Sequence, residues 1–381
     1  MATFNSINNG IKHNVATSIA LGNAAFNAET SSTNSLAVGN LALTACTTGS
    51  NNTAVGYNTL ATTITDLRNT AVGSQALATL NGANDNTAIG QTALQHLTTG
   101  PQNTALGSNA LKTDTTGTGN IAIGFGSMAN YNDAGNNKGF NIAIGLNSIR
   151  DATGAVNGNI GIGLSALQNI NGATNNVSIG TYQSTDQQIT SGSSNVNVGY
   201  QSLNNIITGS NNIALGANAG NSYTTGSESN NICIGNTGSA ASVSGEIQIG
   251  TNGTHMTAFM QGISGVTVTG ASVLISTAGK MGTVVSSARY KNNIKDMSSS
   301  SSSIMKMRPV TFSYKSETTQ QQHYGLIAEE VATIAPELVI YGQDGLPETV
   351  QYHQFTAMLL NELQKACKRI DNLEQTLAQR S

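Results

Sequence analysis

The first two thirds of the chain repeat a short pattern of polar and apolar positions. The pattern is Asn-x-Ala-Val/Ile/Leu-Gly, and its first seven glycines are equally spaced: Gly22, Gly39, Gly56, Gly73, Gly90, Gly107 and Gly124. Seven more glycines continue it at slightly variable intervals: Gly145, Gly163, Gly180, Gly199, Gly216, Gly235 and Gly250. So many occurrences at nearly constant spacing indicate a structural repeat.

Each unit predicts one short strand followed by a turn. An Asn four residues before the glycine begins the strand, as at Asn52, Asn69, Asn86, Asn103, Asn120, Asn141 and Asn212. Small and β-branched residues then alternate, which is typical of a strand with one face packed inward. The glycine permits a backbone turn that a Cβ would obstruct. An apolar residue returns four residues later, at Leu43, Leu60, Leu77, Leu94, Leu111, Met128, Ile149, Leu167 and Leu203.

A unit of about 17 residues is too short for a helix pair or a propeller blade, so we interpret it as one coil of a β-solenoid. Strands of neighbouring coils would pair about 4.8 Å apart, and fourteen coils would span about 60 Å. Because identical residues stack from coil to coil, small side chains are sufficient to fill a continuous core. The sequence therefore predicts a mainly β shaft.

The signature Asn-x-Ala-Val/Ile-Gly-x-x-Ala-Leu, over about residues 17–250, resembles the head repeats of trimeric autotransporter adhesins. It resembles the repeats of phage-type tail-fibre proteins more closely. The adhesin heads are parallel β-rolls of three side-by-side chains, so the resemblance implies a trimeric parallel β-solenoid or β-roll shaft. The period here is longer than in the adhesins, and the handedness stays open.

The composition changes at about residue 281. Residues 1–280 carry 15 of the 35 charged side chains, and residues 281–381 carry the other 20. This change predicts a domain boundary. We expect an N-terminal lead-in, a shaft, a β connector and a small α+β domain, at residues 1–16, 17–250, 251–285 and 286–381.

The C-terminal region has its own predicted elements. One strand is expected within residues 308–314. A second strand begins at residue 324 and leads into a helix that ends near Pro336. A hairpin is expected between residues 338 and 352. The tail predicts a helix with apolar residues in steps of four and three: Leu359, Leu363, Ala366, Ile370, Leu373 and Leu377. Such steps are typical of the seam of a short, trimeric coiled coil. The apolar face of an ordinary amphipathic helix is the alternative.

Four segments carry a second resemblance. They are V-S-S-A-R-Y-K-N-N-I from Val285, R-P-V-T-F-x-Y from Arg308, Y-G-L-I-A-E-E-V from Tyr324, and M-L-L-N-E-L from Met358. In this order they resemble the endosialidase-type intramolecular chaperone domain, which ends many phage tail spikes and fibres. The resemblance covers about residues 281–381 and implies a homotrimer whose C-terminal domain guides folding and then cleaves itself. It also implies a catalytic dyad of Ser286 and Lys291 that cuts between Val285 and Ser286.

The implied dyad has a physical requirement. A serine hydroxyl is a weak nucleophile without an adjacent base, and a lysine can serve as that base only when desolvation or a neighbouring cation lowers its pKa. Arg289 and Lys295 are candidate cations. Residues five apart differ by about 140° around an α-helix, so they do not share a face. We therefore expect Ser286 just before a helix that carries Lys291, with Ser287 as its N-cap. Many family members have Asp at the position of Ser287.

Charge and composition narrow the range of partners. The net charge of −3 and the pI of about 5.9 give no electrostatic footprint for nucleic acid or a membrane surface. No apolar stretch is long enough for membrane insertion. The first residues have no features of a signal peptide, so we expect assembly in the cytoplasm and a final place on a virion tail or a cell surface. The cysteines are widely separated, which predicts buried free thiols, no metal site and no cofactor.

Two functions are consistent with these patterns. The favoured hypothesis is a structural fibre or spike for surface attachment, with a host-surface glycan or protein as its receptor. The alternative is a tail spike that degrades polysaccharide on the solenoid, which requires paired carboxylates. The carboxylates of the shaft are scattered singly: Glu29, Asp66, Asp85, Asp114, Asp133, Asp151, Asp186, Glu228 and Glu246.

Overall fold

The chain forms two compact units, Met1–Met256 and Thr257–Ser381. The computed structural model describes residues 11–12, 17–131, 139–180, 189–240, 243–252, 254–255, 257–260, 269–342 and 344–380. Most of the predicted lead-in, and the candidate carboxylates Asp133 and Asp186, lie outside the described residues. The division into four regions stays a prediction.

Fifteen strands form the sheet of the first unit in the described part of the chain. The short strand β1 (Ile11–Lys12) runs antiparallel to β2, and β2 to β15 are parallel and pair in chain order. Their bounds are β2 (Ile19–Leu21), β3 (Leu36–Val38), β4 (Thr53–Val55), β5 (Thr70–Val72), β6 (Thr87–Ile89), β7 (Thr104–Leu106), β8 (Ile121–Ile123), β9 (Ile142–Ile144), β10 (Ile160–Ile162), β11 (Val177–Ile179), β12 (Val196–Val198), β13 (Ile213–Leu215), β14 (Ile232–Ile234) and β15 (Ile247–Ile249).

Equivalent residues of successive coils lie directly above one another. Ala54 pairs with Ala71, which pairs with Ala88. The middle residue of each strand from β2 to β14 points inward and is buried, whereas its two neighbours face outward. Because the inward position is mostly alanine, the coils can be narrow and still closely packed. The predicted mainly β fold, with a parallel solenoid of about 13 turns, is confirmed.

A ladder of buried asparagines runs beside the strands. The side-chain oxygen of Asn103 accepts a hydrogen bond of 2.9 Å from the backbone N–H of Asn120 in the next coil. The same position is buried in every coil from β4 to β14: Asn52, Asn69, Asn86, Asn103, Asn120, Asn141, Asn159, Asn176, Asn195, Asn212 and Asn231. The sequence predicted seven of them, only as strand starts: Asn52, Asn69, Asn86, Asn103, Asn120, Asn141 and Asn212. Their side chains also satisfy buried backbone groups between coils.

The turn after each strand depends on a stack of glycines. Gly73 has φ of 130°, and a Cβ placed on it would lie 2.5 Å from the carbonyl oxygen of Gly90 in the next coil. Leu77, four residues later, is fully buried with φ of 48°. This left-handed backbone is unfavourable for leucine, and the sequence did not predict it. Burial of the side chain and a 3.1 Å bond from its N–H to the Ala93 carbonyl stabilise it.

In its described residues, the second unit contains short strands and two α-helices. Antiparallel pairs form between β16 (Val273–Ile275) and β17 (Met281–Thr283), between β18 (Val310–Phe312) and β19 (His323–Gly325), and between β20 (Val339–Tyr341) and β21 (Pro347–Val350). The helices are α1 (Ala328–Ile334) and α2 (Tyr352–Ala378), with 3-10 helices at Ala288–Tyr290, Ser298–Lys306 and Pro336–Leu338. The strands, the hairpin and the tail helix predicted from the sequence are present. A small core packs Val331, Leu338, Val350 and Met358 together.

Candidate processing site

Ser286 and Lys291 lie within hydrogen-bonding distance of each other. The ammonium nitrogen Nζ of Lys291 is 3.2 Å from the hydroxyl oxygen of Ser286. The atoms that a serine–lysine dyad requires therefore meet in a single chain. Their catalytic role stays a prediction.

The local backbone explains how residues five apart meet. Between them lies a short 3-10 helix, Ala288–Tyr290, and Lys291 follows it in an extended conformation with φ of −122°. We expected a helix that carries Lys291, and this detail was wrong. Ser287 occupies the N-cap position, but its side chain makes no capping hydrogen bond. The short 3-10 helix followed by extended backbone at Lys291 lets the lysine side chain reach the serine hydroxyl.

The dyad is open to solvent in the single chain. Both side chains are exposed, and Val285, on the acyl side of the predicted cut, is 53% exposed. The guanidinium of Arg289 lies over the ring of Tyr290, 4.8 Å from its centroid. A serine–lysine dyad, by contrast, requires a desolvated lysine that can accept the serine proton. The dyad therefore needs a further change in its surroundings before it can react.

The seam of α2 is uncovered. Met358, near the start of the helix, is buried, whereas all six predicted seam residues are exposed, up to 67% at Leu377. A polar cluster around the buried Ser301 contacts the first half of α2. The amide of Asn361 donates to the Ser301 hydroxyl at 2.6 Å, and Ser301 also hydrogen-bonds to Glu362. From Ala366 to Arg380 every residue of the tail is exposed.

The outward face of the solenoid sheet is also apolar. Its two outward positions are Thr and Val in β4 and β5, but both are isoleucine in β8, β9, β10, β14 and β15. Several of these side chains are more than one third exposed, and Ile249 is 71% exposed. The sheet therefore presents two parallel rows of mainly apolar side chains to solvent, one of which is interrupted by threonine from β4 to β7.

The described residues contain no group of three or more His, Cys, Asp or Glu side chains arranged to hold a metal ion. Cys46 and Cys233 are buried free thiols, as expected, and burial raises the pKa of the Cys46 thiol to about 11. The expectation was wrong for Cys367, because it lies on the exposed part of α2. No helix within the described ranges is long and apolar enough to cross a membrane.

A comparison with known protein families identifies the segment that begins at the dyad. Residues 286–340 match the family described as chaperone of endosialidase. The C-terminal unit thus contains an endosialidase-type chaperone domain. No curated protein and no solved structure matched the chain significantly. A β-solenoid followed by this chaperone domain fits a structural protein of the phage tail fibre or spike type.

Proposed function

We propose that the chaperone domain brings three chains together, guides folding of the shaft and then cuts the chain between Val285 and Ser286. The proposal also includes attachment of the finished fibre to a receptor on a host surface, after assembly in the cytoplasm. The observation that carries it is the contact of 3.2 Å between Lys291 Nζ and the Ser286 hydroxyl, at the first residue of the matched chaperone segment.

Exposed apolar surface supports trimerisation. Soluble monomers rarely expose contiguous apolar patches larger than a few hundred Å². Leucine and isoleucine repeat at heptad positions along the uncovered part of α2, as in helices that pack against one another. The rows of isoleucine on the sheet give the shaft a second apolar surface. Association of three chains would remove both surfaces from water.

The proposed reaction balances without a cofactor. A neutral Lys291 amine takes the proton of the Ser286 hydroxyl, whose oxygen attacks the carbonyl carbon of Val285. The bond from that carbon to the Ser286 nitrogen breaks, and the nitrogen takes up a proton to leave a free amine and an ester on the serine oxygen. Water then hydrolyses the ester, giving a carboxylate on Val285 and restoring the hydroxyl. Burial of the pair by neighbouring chains would lower the pKa of the lysine and start the reaction.

The stacked shaft explains why a chaperone is needed. A slip by one coil keeps most contacts between near-identical units, so register is weakly specified. A separate domain that trimerises first fixes the register of all three chains. After cleavage, an unfolded shaft could not refold, because it no longer carries the domain that guides its assembly. The lifetime of the folded shaft is then set by its rate of unfolding.

Processing is tested by a denaturing gel and an intact mass of freshly expressed protein. The proposal expects two fragments, one of residues 1–285 and one of residues 286–381 that begins at Ser286. Ser286→Ala and Lys291→Ala should each leave an uncut chain that still forms trimers, as measured by light scattering. Cleavage in either variant rejects the dyad, and a monomeric wild type rejects the assembly role.

The chaperone role has its own test. Residues 1–285 expressed alone should be insoluble, because no domain sets their register. A soluble trimer from this fragment would contradict the role.

Degradation of polysaccharide remains the alternative, but the carboxylates argue against it. Asp66, Asp114 and Glu228 are buried, and Asp85 and Asp151 are paired with Arg68 and Arg150. Purified trimer should therefore leave capsular polysaccharides intact.

A further inference from the structure

A notch interrupts the surface of the shaft between its seventh and ninth strands. It has a volume of about 260 Å³ and is lined by Asn109, Lys112, Phe125, Gly126, Ala129, Asn130, Asn147 and Arg150. These residues belong to three successive coils. The notch lies on the turns that follow the strands.

The notch arises from a local change in the repeat. Two residues after the strand-ending glycine, the outer coils carry Asn109 and Asn147, but the middle coil carries Gly126. Five residues after it, the outer coils carry Lys112 and Arg150, but the middle coil carries Ala129. Gly126 and Ala129 are buried at the floor. Two small residues between two pairs of larger ones leave the gap, and a Cβ on Gly126 would lie 2.6 Å from the Asn147 side-chain oxygen.

The walls are positively charged in a region that has few charges. In the described part of the first unit, Lys112 makes no ion pair, whereas Arg68 is bound to Asp85. Arg150 contacts the carboxylate of Asp151 at 2.9 Å. A guanidinium has five N–H donors, so Arg150 retains donors for a second anion.

The remaining side chains suit a sugar. Phe125 is 57% exposed at one side of the notch, although large aromatic rings are normally buried. The amides of Asn109, Asn147 and Asn130 can donate to and accept from hydroxyl groups. Two of them are partly committed: the Asn130 amide donates to Asp151 at 2.6 Å, and the Asn109 side-chain oxygen accepts from the Thr92 hydroxyl at 2.7 Å. The volume of the notch, about 260 Å³, lies just below the range of about 300–1,000 Å³ that is typical of pockets for drug-sized ligands. The notch therefore suits a smaller ligand, such as one pyranose ring.

We infer that this notch binds an acidic sugar residue of a host-surface glycan. The carboxylate would lie between Lys112 and Arg150, the apolar face of the ring against Phe125, and the hydroxyls near the asparagines. The inference rests on the proposed attachment function, to which it adds a site and a ligand class.

The test uses the assembled protein as it is obtained by expressing the complete sequence, and the measurement is isothermal titration calorimetry. The acidic probes are trigalacturonic acid and 3′-sialyllactose, and the neutral partners are the methyl ester of the first and lactose. At least one acidic probe should bind about tenfold or more tightly than its neutral partner, because charged hydrogen bonds are the strongest polar contacts. Added salt should weaken this binding, because exposed charges are screened.

Two variants and their matched controls locate the site. Lys112→Gln removes a charge, and Ala129→Leu fills the floor; each should weaken binding about tenfold. Arg68→Gln and Ala78→Leu make the same changes in other coils and should leave it unchanged. Failure of both acidic probes to bind, or equal binding by the variants and controls, overturns the inference. A processed trimer that attaches to cells independently of this notch would preserve the proposed function and still reject this site.

Discussion

The side-chain oxygen of Asn69 accepts two hydrogen bonds from Asn86, its equivalent in the next coil. One comes from the backbone N–H of Asn86 at 2.9 Å, and the other from its amide nitrogen at 3.2 Å. Each asparagine of the ladder thus accepts from one neighbour and donates to the other. A buried polar row is stable only while every member has its partner, and this ladder links neighbouring coils through uncharged amide groups.

Asn86→Ala should destabilise the shaft by about 1–3 kcal/mol, because the buried N–H of Asn103 loses its acceptor. The measurement is the midpoint or rate of unfolding in denaturant, followed by circular dichroism. Asn81→Ala is the control, since Asn81 is exposed in the same coil. Equal effects of the two substitutions would show that the ladder adds nothing to stability.

Gly73→Ala should be much more harmful than Gly82→Ala. Both glycines have positive φ, of 130° and 115°, but a Cβ on Gly82 would meet only the Thr99 methyl group, at 3.7 Å. Gly82→Ala is therefore the control, because it introduces the same kind of backbone strain without a clash with the next coil. We expect Gly73→Ala to lower the yield of folded trimer severalfold, measured by size-exclusion chromatography. Similar yields would mean that neighbouring coils can move apart to accommodate a methyl group.

Serine at both Ile370 and Leu373 should prevent trimerisation and, with it, cleavage. The reason is that the exposed pair of Ser286 and Lys291 is expected to become desolvated, as the reaction requires, only when other chains pack over it. Light scattering and a time course on denaturing gels measure the two effects together. Serine at Lys368 and Gln375, on the opposite face of α2, is the matched control. A monomeric seam variant that cleaves at the wild-type rate would refute activation by assembly, although the dyad assignment could survive.

Asp66 and Asp85 should give opposite dependences of stability on pH. Burial raises the pKa of Asp66, against hydrogen bonds from backbone N–H groups that lower it. Its charged form therefore destabilises the fold, and this penalty disappears as the pH falls below the ordinary aspartate pKa. Hydrogen bonding to Arg68 lowers the pKa of Asp85, so its contribution is present above the ordinary pKa and is lost as the pH falls through the lowered value.

The measurement is the unfolding rate of wild type, Asp66→Asn and Asp85→Asn at about pH 7 and about pH 3, on either side of the ordinary aspartate pKa. At the higher pH, Asp66→Asn should gain stability relative to wild type, and Asp85→Asn should lose it. Both differences should shrink at the lower pH. Differences of the same sign would contradict the assigned environments.

The sequence predicted the coils because their spacing is visible along the chain. Gly22 to Gly124 fixed the period, and the strand before each glycine followed from the alternation of side chains. The left-handed conformation of Leu77 could not be predicted, since leucine does not favour it. Tertiary stacking imposes that conformation, and local preference opposes it.

At the candidate site, the resemblance named Ser286 and Lys291, but the expectation of a helix that carries Lys291 was wrong, because the 3-10 helix ends at Tyr290. A dyad reached by one 3-10 turn leaves no helical periodicity to detect. The notch was missed for a different reason. Asn109, Gly126 and Asn147 lie far apart along the chain, one in each of three coils, and they become neighbours only when the coils stack. A comparison of equivalent positions in successive coils, looking for a small residue between two larger ones, could have found the notch.

The direction of the hydrogen bonds in the sheet determines how the shaft responds to a pull along its stack. Bonds between parallel strands run from coil to coil, so such a force stretches them directly and loads the coils in series. The force that the shaft can resist is then set by its weakest coil and does not increase with the number of coils. In the single chain that coil is the last one, where the middle residue of β15 is only half-buried and Ile247 and Ile249 are open to solvent. Mechanical failure would begin there and proceed one coil at a time.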